Sequence, residues 1–308
     1  MAGFFGIGDF TKEGRGVDKN APKKRGIFAF FELFFRKFWR LIKLNLLYIL
    51  ACIPTAAVVF FIGGYISGTV LRSVSGIIEE QSAMTVFLDL GVRLYFVLIF
   101  SVVWGMGPVT CGYTYVLRNY SREEHAWMLS DFWQHTKENF KQSVVVWIID
   151  VFAFVVIYFA YSFYSIQKSP VFYLKYLIVC ISLIYTFMHF YIYQMMITFK
   201  LSLKDLYRNS FLFALGKLPR NFFILALILF VHVAVPYIGI YMSGASVIFL
   251  LVFILLEILL LPTFTGFAEA FGIYSVIRDN LLIKADPEKY GDKQTDNTDS
   301  VFNDEKIL

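Results

Sequence analysis

The chain has 308 residues, of which 58% are hydrophobic and only 17% are charged, and its mean hydropathy is +0.64. Soluble proteins of this length carry roughly a quarter charged residues, so the composition excludes an ordinary soluble globular enzyme. The apolar residues form continuous runs of about 20, the length a helix needs to cross hydrocarbon. Membrane-spanning strands would alternate. The composition therefore predicts an all-α integral membrane protein.

The N-terminal residues 1–25 are rich in glycine and lysine and contain no apolar run of the kind that a cleavable signal peptide needs. They predict a disordered basic tail that lies at an anionic membrane surface. At the other end, residues 284–308 are polar and of mixed charge, which predicts a second disordered tail. Residues 26–283 between them are predicted to form one transmembrane domain.

Two amphipathic helices are predicted at the cytoplasmic face, at 26–43 and 122–142. In each, aromatic residues share a helix with basic residues, a pattern typical of helices that lie in the headgroup plane. The alternative for 26–43 is that it simply begins the first span. The sequence Ser-Arg-Glu-Glu at 121–124 predicts a capping box that starts the second helix. Residues expected to contact a partner or the membrane surface are Arg36, Trp39, Arg40, Trp127, Trp133 and Lys137.

Six apolar runs predict six transmembrane helices, arranged as three consecutive hairpins. The spans are 44–66, 94–116, 144–166, 176–199, 222–242 and 246–277. Twenty-four of the 28 lysines and arginines then lie on one side of the membrane, and the other side holds Arg72, Arg93, Lys168 and Lys175. Because basic residues stay cytoplasmic, both termini are expected there. This topology accounts for the net charge of +5 without a nucleic-acid partner.

The second span ends in a segment, 105–119, that combines helix loosening with a basic exit. Gly105, Gly107 and Pro108 weaken the helix, and Arg118 marks the cytoplasmic end. Further prolines, at 54, 236 and 262, predict kinks in other spans.

An internal repeat is also indicated. Asparagines at 45, 139 and 221 precede or begin the three hairpins, and arginines at 118, 208 and 278 end them. Parallel repeats are a known design of membrane transporters. The similarity covers only a few residues in each copy, so chance is the competing explanation. If the repeat is real, the three hairpins should superpose.

Ionisable residues inside hydrocarbon are costly and are the candidate functional residues. Here they are Asp150, His189, His232, Glu257 and Glu269. One interpretation is that they hydrogen-bond across the bundle, with His232 and Glu257 pairing inside one hairpin. A second is a substrate or proton path. A third is a metal site of His189, His232 and Glu257, a legitimate ligand set that lacks any His-Glu-x-x-His spacing. We expect no metal.

No enzyme activity is predicted. The sequence lacks a Walker phosphate loop, a G-x-G-x-x-G dinucleotide motif and a G-x-S-x-G nucleophile elbow. No cofactor and no catalytic residue are expected, and the chain has no ATPase motif of its own.

Seven short segments, most of them in the first half of the chain, resemble one known family. They are Asp-Lys-Asn-Ala-Pro-Lys-Lys at 18–24, Phe-Arg-Lys-Phe-Trp at 35–39, Leu-Asn-Leu-Leu at 44–47, Cys-Ile-Pro-Thr at 52–55, Gly-Pro-Val-Thr-Cys-Gly at 107–112, Asp-Phe-Trp at 131–133 and Asn-Phe-Lys-Gln at 139–142. They are similar to the YesL family of bacterial integral membrane proteins, whose domain has no known function. Short members join the Cys-x-x-Pro-Thr and Gly-Pro regions almost directly, whereas about fifty residues, 56–106, intervene here.

The resemblance implies a role beside carbohydrate uptake, because family members resemble accessory parts of carbohydrate loci that also encode ABC permeases. It supplies no catalytic residues. We therefore expect a multi-pass protein of the bacterial cell membrane that contacts the lipid bilayer and ABC permease subunits of a sugar importer. The alternative is an autonomous small-solute carrier that uses a polar site at the midplane. The oligomeric state is not predicted.

Overall fold

The computed structural model describes residues 26–74, 83–243 and 247–282, and every regular element in these ranges is helical. The predicted tails, 1–25 and 284–308, lie outside the described residues. The α-helices are α1 (Ile27–Val74), α2 (Ala83–Val103), α3 (Pro108–Ser121), α4 (Met128–Glu138), α5 (Phe140–Ser165), α6 (Leu174–Met196), α7 (Leu203–Gly216), α8 (Leu218–Leu229), α9 (Val235–Met242), α10 (Val247–Leu259) and α11 (Leu261–Ile277). A 3-10 turn, Pro170–Tyr173, precedes α6, and π-helical turns, Phe230–Ala234 and Arg278–Leu282, follow α8 and α11.

Among the described residues, four helical segments are long and apolar enough to cross a membrane: Ile27–Thr69, Phe140–Ser165, Pro170–Met196 and Leu218–Met242. Two further candidates are bent pairs, in which α2 meets α3 at 56° and α10 meets α11 at 47°. If each bent pair is one span, six helices cross. Only 17–28% of the apolar window of each unbroken segment is buried inside the protein. The rest of that apolar surface suits lipid, so the architecture is that of an all-helical membrane protein.

Helix α1 continues without interruption from the predicted interfacial helix, 26–43, through the predicted first span. No glycine or proline occurs between Ile27 and Ile53, so nothing in the sequence ends the helix at the expected boundary. Pro54, inside the helix, lacks a donor but does not end it. Near the N-terminus of α1, Phe30 and Phe34 are buried against Phe267 of α11. The structure thus makes this segment part of the bundle and not a separate helix.

The predicted bounds of the second interfacial helix, 122–142, were wrong. Ser121 is the last residue of α3, and Glu123 has a left-handed φ of 64°, which ends the helix where the capping box was expected to start one. The next helix begins only at Met128, where the Asp131 carboxylate accepts a hydrogen bond from the Trp127 backbone N–H (2.8 Å). Asn139 then separates α4 from α5.

The first break, between α2 and α3, comes from two glycines. Gly105 (φ 85°) and Gly107 (φ 70°) adopt left-handed backbone conformations that other residues rarely accept. A β-carbon on Gly105 would lie 2.9 Å from the Thr110 hydroxyl oxygen and from the Tyr193 ring. Pro108, which has no N–H to continue the ladder, then begins α3. The loosening predicted for 105–119 is therefore a full interruption of the helix.

The second break, between α10 and α11, is a single residue. Leu260 has φ −145° and ψ −42°, outside the helical region, and Pro262 lies in the first turn of α11. A proline is expected to kink a helix at this position, and here the helix axis turns by 47°.

The second halves of the two broken spans lie at the centre of the bundle. Thirteen of the 14 residues of α3 are buried, compared with 11 of the 23 residues of α6. Helix α3 contacts α1, α4, α5, α6 and α11, and α11 contacts α1, α6 and α8. This arrangement brings both breaks, and the polar residues near them, into the interior.

Candidate functional site

Tyr48 of α1 bridges the first break. Its hydroxyl lies 3.2 Å from the hydroxyl of Ser101 on α2 and 3.2 Å from that of Thr110 on α3. Thr110 in turn accepts a hydrogen bond from the Met106 backbone N–H (2.7 Å), a donor freed where α2 ends. One tyrosine therefore connects both halves of the span.

Asn45 of α1, one turn away, bridges the second break. Its amide nitrogen donates to the carbonyl oxygens of Glu257 (3.2 Å) and Ile258 (2.8 Å) at the end of α10. Its amide oxygen accepts from the Thr263 hydroxyl (2.6 Å) at the start of α11. The side chain is fully buried and supplies partners that the interrupted helix cannot.

The two broken spans are also tied to each other. The Tyr113 hydroxyl of α3 donates to the Thr263 hydroxyl of α11 (3.1 Å), and the Tyr113 ring stacks on Tyr48 with centroids 4.1 Å apart. Gly266 of α11 permits the close approach, because a β-carbon there would lie about 3 Å from Leu117 and Tyr113. Polar contacts thus run from one break to the other through a single residue of α3.

A cavity of about 50 Å³ lies at the crossing of the two broken spans. It has room for about three or four water molecules, far less than the few hundred Å³ of typical small-molecule sites. Residues at both breaks line it, together with residues of α1 and α6 and with Ile228 of α8. The polar lining residues are Tyr48, Ser101, Thr110, Tyr113, Thr114, His189, Tyr193, Gln194, Thr265 and Glu269.

Several of these polar groups make no hydrogen bond within the described part of the chain. The Tyr193 hydroxyl, the Gln194 amide oxygen and both ring nitrogens of His189 make no hydrogen bond, although each side chain is more than nine-tenths buried. Buried polar groups are normally satisfied. A polar cavity of this size has room for water or a small ion.

The five intramembrane ionisable residues fall into three places. Asp150 of α5 and His189 of α6 form one buried pair, with Oδ1 and Nε2 3.0 Å apart but without hydrogen-bond alignment. The Tyr185 hydroxyl donates to the same Asp150 oxygen (2.7 Å). This pair closes the α5–α6 contact.

His232 and Glu257 form the second pair, which the sequence analysis expected to lie in one hairpin. The His232 Nδ1 atom lies 2.9 Å and 3.1 Å from the two carboxylate oxygens, and its Nε2 atom lies 3.0 Å from the Thr265 hydroxyl. His232 sits in the π-helical turn, and its backbone carbonyl accepts from the Tyr95 hydroxyl of α2. The pair therefore joins three elements: the π-helical turn, α10 and α11.

Glu269 belongs to neither pair. It lies two turns along α11 from the break and lines the cavity, and it makes no hydrogen bond or ion pair with the described residues. The predicted polar cluster therefore consists of two contacting pairs and one carboxylate that belongs to neither.

The ligand set considered for a metal, His189, His232 and Glu257, is not assembled. His189 contacts Asp150, whereas His232 contacts Glu257. Within residues 26–74, 83–243 and 247–282, no group of three or more histidine, cysteine, aspartate or glutamate side chains is placed to hold a metal ion.

All the residues predicted to contact a partner are exposed: Arg36, Trp39, Arg40, Trp127, Trp133 and Lys137. Arg36 forms an ion pair with Glu123 (2.6 Å), which ties α1 to the segment after α3. Trp39 and Trp127 are 73% and 71% exposed, large fractions for aromatic side chains. These side chains present an aromatic and basic surface.

Sequence reasoning missed the roles of Tyr48, Thr110 and Thr263 as connectors of the breaks. The usable signal was the pairing of each helix-breaking proline with a threonine one or two residues later, Pro108 with Thr110 and Pro262 with Thr263. Asn45 was singled out as a repeat residue, but nothing in its sequence context pointed to a contact more than 200 residues away.

Comparison with known proteins gives one match. Residues 90–161 match the profile of a family described as "Protein of unknown function, DUF624". This range runs from within α2, through α3 and α4, into α5, so it includes the first break but covers less than a quarter of the chain. No curated protein and no solved structure matches the chain. In this range, the chain is similar to a family that carries no assigned activity.

Proposed function

We propose that this protein is a six-span accessory subunit of the bacterial cell membrane that acts as a scaffold for an ABC-type carbohydrate importer. The observation that carries the proposal is that these ionisable residues contact each other in pairs, Asp150 with His189 and His232 with Glu257. Polar contacts between helices hold the helices together. A substrate path would need such groups to face an open channel.

The size of the central cavity supports the same conclusion. At about 50 Å³ it is too small for a sugar, because pockets for small molecules usually enclose about 300 Å³ or more. The partner class follows from the resemblance to the YesL family, and the exposed aromatic and basic residues around Trp39 and Trp127 supply a docking surface for it.

In the proposed topology each bent pair is one span, and the end of the bundle with most lysines and arginines faces the cytoplasm. Contacts at that end involve Arg36, Arg118, Arg122 and Arg220. Both termini would then be cytoplasmic. Single cysteines placed near each terminus should resist a membrane-impermeant thiol reagent in intact cells and react after the cells are opened.

The test of the proposal is purification of the full chain from its native host in mild detergent, with quantitative mass spectrometry of the co-purifying proteins. We expect an ABC permease subunit in near-equal amount. A variant with Trp39→Ala and Trp127→Ala, which leaves the bundle interior intact, should recover less permease at an unchanged level of the protein. Recovery of the wild-type chain alone would contradict the scaffold role.

A second candidate function is an autonomous small-solute carrier. Two discontinuous spans that cross near a polar cavity are the observation that favours it, because many carriers build their sites from such helices. The test is solute uptake by cells that carry Glu257→Gln together with His232→Gln. A large loss of uptake at unchanged protein level would support the carrier, and unchanged uptake would eliminate it.

A further inference from the structure

The lining of the cavity at the two breaks favours a bound cation over a bound anion. The polar lining consists of hydroxyl groups, the Gln194 amide, the Trp104 and His189 rings and the carboxylate of Glu269, and it includes no lysine or arginine. Its histidine, His189, already lies beside Asp150. A bound anion would face a carboxylate without a counter-charge, whereas a bound cation would find oxygen atoms and one negative charge.

The backbone groups around the cavity also favour a cation over an anion. The C-terminal end of α2, Val102 and Val103, lines it, and the last carbonyls of a helix lack intrahelical partners and carry partial negative charge. The Met106 N–H, which would bind the Val102 carbonyl in a continuous helix, donates to Thr110 instead. The opposing helix starts offer fewer donors than usual, because Pro108 and Pro262 have no N–H.

The unpaired polar groups point to an occupant. Tyr193 is 4% exposed and Gln194 is 2% exposed; both residues line the cavity, and each has a buried oxygen without a hydrogen-bond partner. Leaving such groups unsatisfied costs about 1–3 kcal/mol each. Both belong to α6, which is not one of the broken helices, so they are independent of the helix ends.

We propose that this cavity binds a small monovalent cation, with Na⁺ as the ion to test, and that Glu269 balances its charge. The volume fits one ion with one or two water molecules. Hard cations prefer carboxylate, carbonyl and water oxygens. A divalent ion would leave a net positive charge beside one carboxylate within the membrane, which is costly.

This site is independent of the proposed scaffold role, since it needs no partner protein. A bound ion would tie α2, α3, α6 and α11 together at the point where two of the helices are interrupted. Its effect is therefore expected on the stability of the bundle.

The experiment measures the thermal unfolding midpoint of the purified full-length protein in detergent. NaCl replaces N-methyl-D-glucamine chloride at constant ionic strength. A saturable rise in the midpoint with Na⁺ is expected, because an ion that binds only the folded state stabilises it. Glu269→Gln should weaken the apparent Na⁺ affinity at least tenfold. Glu257→Gln, which removes an intramembrane carboxylate outside the cavity, should keep the wild-type affinity even if its midpoint is lower.

A second variant protects the test against misfolding of the first. Gln194→Met keeps the length of the side chain and removes the amide oxygen, and it should also weaken Na⁺ binding. No Na⁺-dependent shift in the wild type would overturn the proposal and assign the cavity to water. A Na⁺-dependent shift in both Glu269→Gln and Gln194→Met that equals the wild-type shift would also overturn the proposal. Stabilisation by acid alone, absent in Glu269→Gln, would make the occupant a proton and equally overturn cation binding.

Discussion

The two broken spans are interrupted in different ways, although the same helix braces both. Between α2 and α3 two glycines take left-handed conformations, and four residues separate the halves. Between α10 and α11 one residue, Leu260, leaves the helical region. Tyr48 bridges the first break through hydroxyl groups, and Asn45 bridges the second through backbone carbonyls.

The difference shows how far each break depends on contacts with the rest of the molecule. The first break is set by its own backbone, since glycines at 105 and 107 favour it without outside contacts. The second depends on a distant side chain, because Asn45 satisfies the carbonyls at the end of α10. Changes near the first break should therefore act through packing, and changes at Asn45 through unsatisfied polar groups.

The largest effect is expected where α3 packs against α4. A β-carbon on Gly112 would lie 2.1 Å from the Phe132 carbonyl oxygen of α4, so Gly112→Ala must push α4 away from α3. We expect a loss of about 3 kcal/mol, the upper part of the usual range for overpacking. The measurement is the fraction of folded protein after heating, by size exclusion in detergent.

Gly91→Ala is the matched control for this change. Gly91 lies on α2, the other half of the same span, and a β-carbon there would meet nothing within 4 Å. Its stability should equal or slightly exceed that of the wild type. Equal losses in both variants would show that α3 and α4 are not packed as described.

The next largest effects are expected at Asn45 and Tyr48, the two residues of α1 that bridge the breaks. Asn45→Ala leaves two carbonyl groups without a donor and the Thr263 hydroxyl without its acceptor, which should cost about 2–3 kcal/mol. Tyr48→Phe removes only a hydroxyl shared with Ser101 and Thr110, which should cost about 1 kcal/mol. Thermal or denaturant unfolding of both variants gives the order, and a larger loss in Tyr48→Phe would reverse the comparison.

A smaller effect tests the connection between the breaks. Tyr113→Phe removes the donor to Thr263, the residue that also donates to Asn45, and should cost about 1 kcal/mol on its own. In combination with Asn45→Ala the two losses should differ from their sum by about 0.5 kcal/mol or more, because the groups share a partner. Strict additivity in this double-mutant cycle would mean that the two breaks are independent.

The smallest effect concerns α4, which packs on α3. The His135 ring stacks on Tyr115 with centroids 3.5 Å apart. Burial lowers the pKa of His135, and Arg118 acts in the same direction, whereas Glu138 and Asp131 oppose it. The folded state therefore favours the neutral ring. Its contribution is complete above about pH 6.5 and declines as the pH falls below that value.

The unfolding midpoint should therefore drop slightly between pH 7.5 and pH 5.5. His135→Gln should reduce this drop. The control is His125→Gln, because His125 lies in the neighbouring segment after α3 and its ring contacts Trp127. It should keep the wild-type dependence. An identical pH response in both variants would show that another group is responsible.

The sequence was sufficient to place the apolar helices and the weak points within them. The glycines at 105 and 107 and the proline at 262 are local signals, and local backbone chemistry decides where a helix can break. The boundary between 26–43 and the first span was not predictable in the same way. Charges at every turn suggested an interfacial helix, but a run without a helix breaker continued as one helix.

The candidate site depended on contacts that no local pattern contains. The pair of His232 and Glu257 could be expected, because the sequence predicts both residues at a similar depth in one hairpin. The pair of Asp150 and His189 joins two neighbouring helices, and the contact of Asn45 with Thr263 spans 218 positions of the chain. Only the packing of α1 against α11 brings those groups together, so they could not be read from spacing.

The length of α1 has a mechanical consequence. Its 48 residues would measure about 72 Å along the axis at 1.5 Å per residue, more than twice the thickness of a hydrocarbon core of about 30 Å. A helix of this length reaches beyond a bilayer that it crosses. Asn45 and Tyr48 lie near its middle, so a shift or tilt of α1 would move the residues that bridge both breaks.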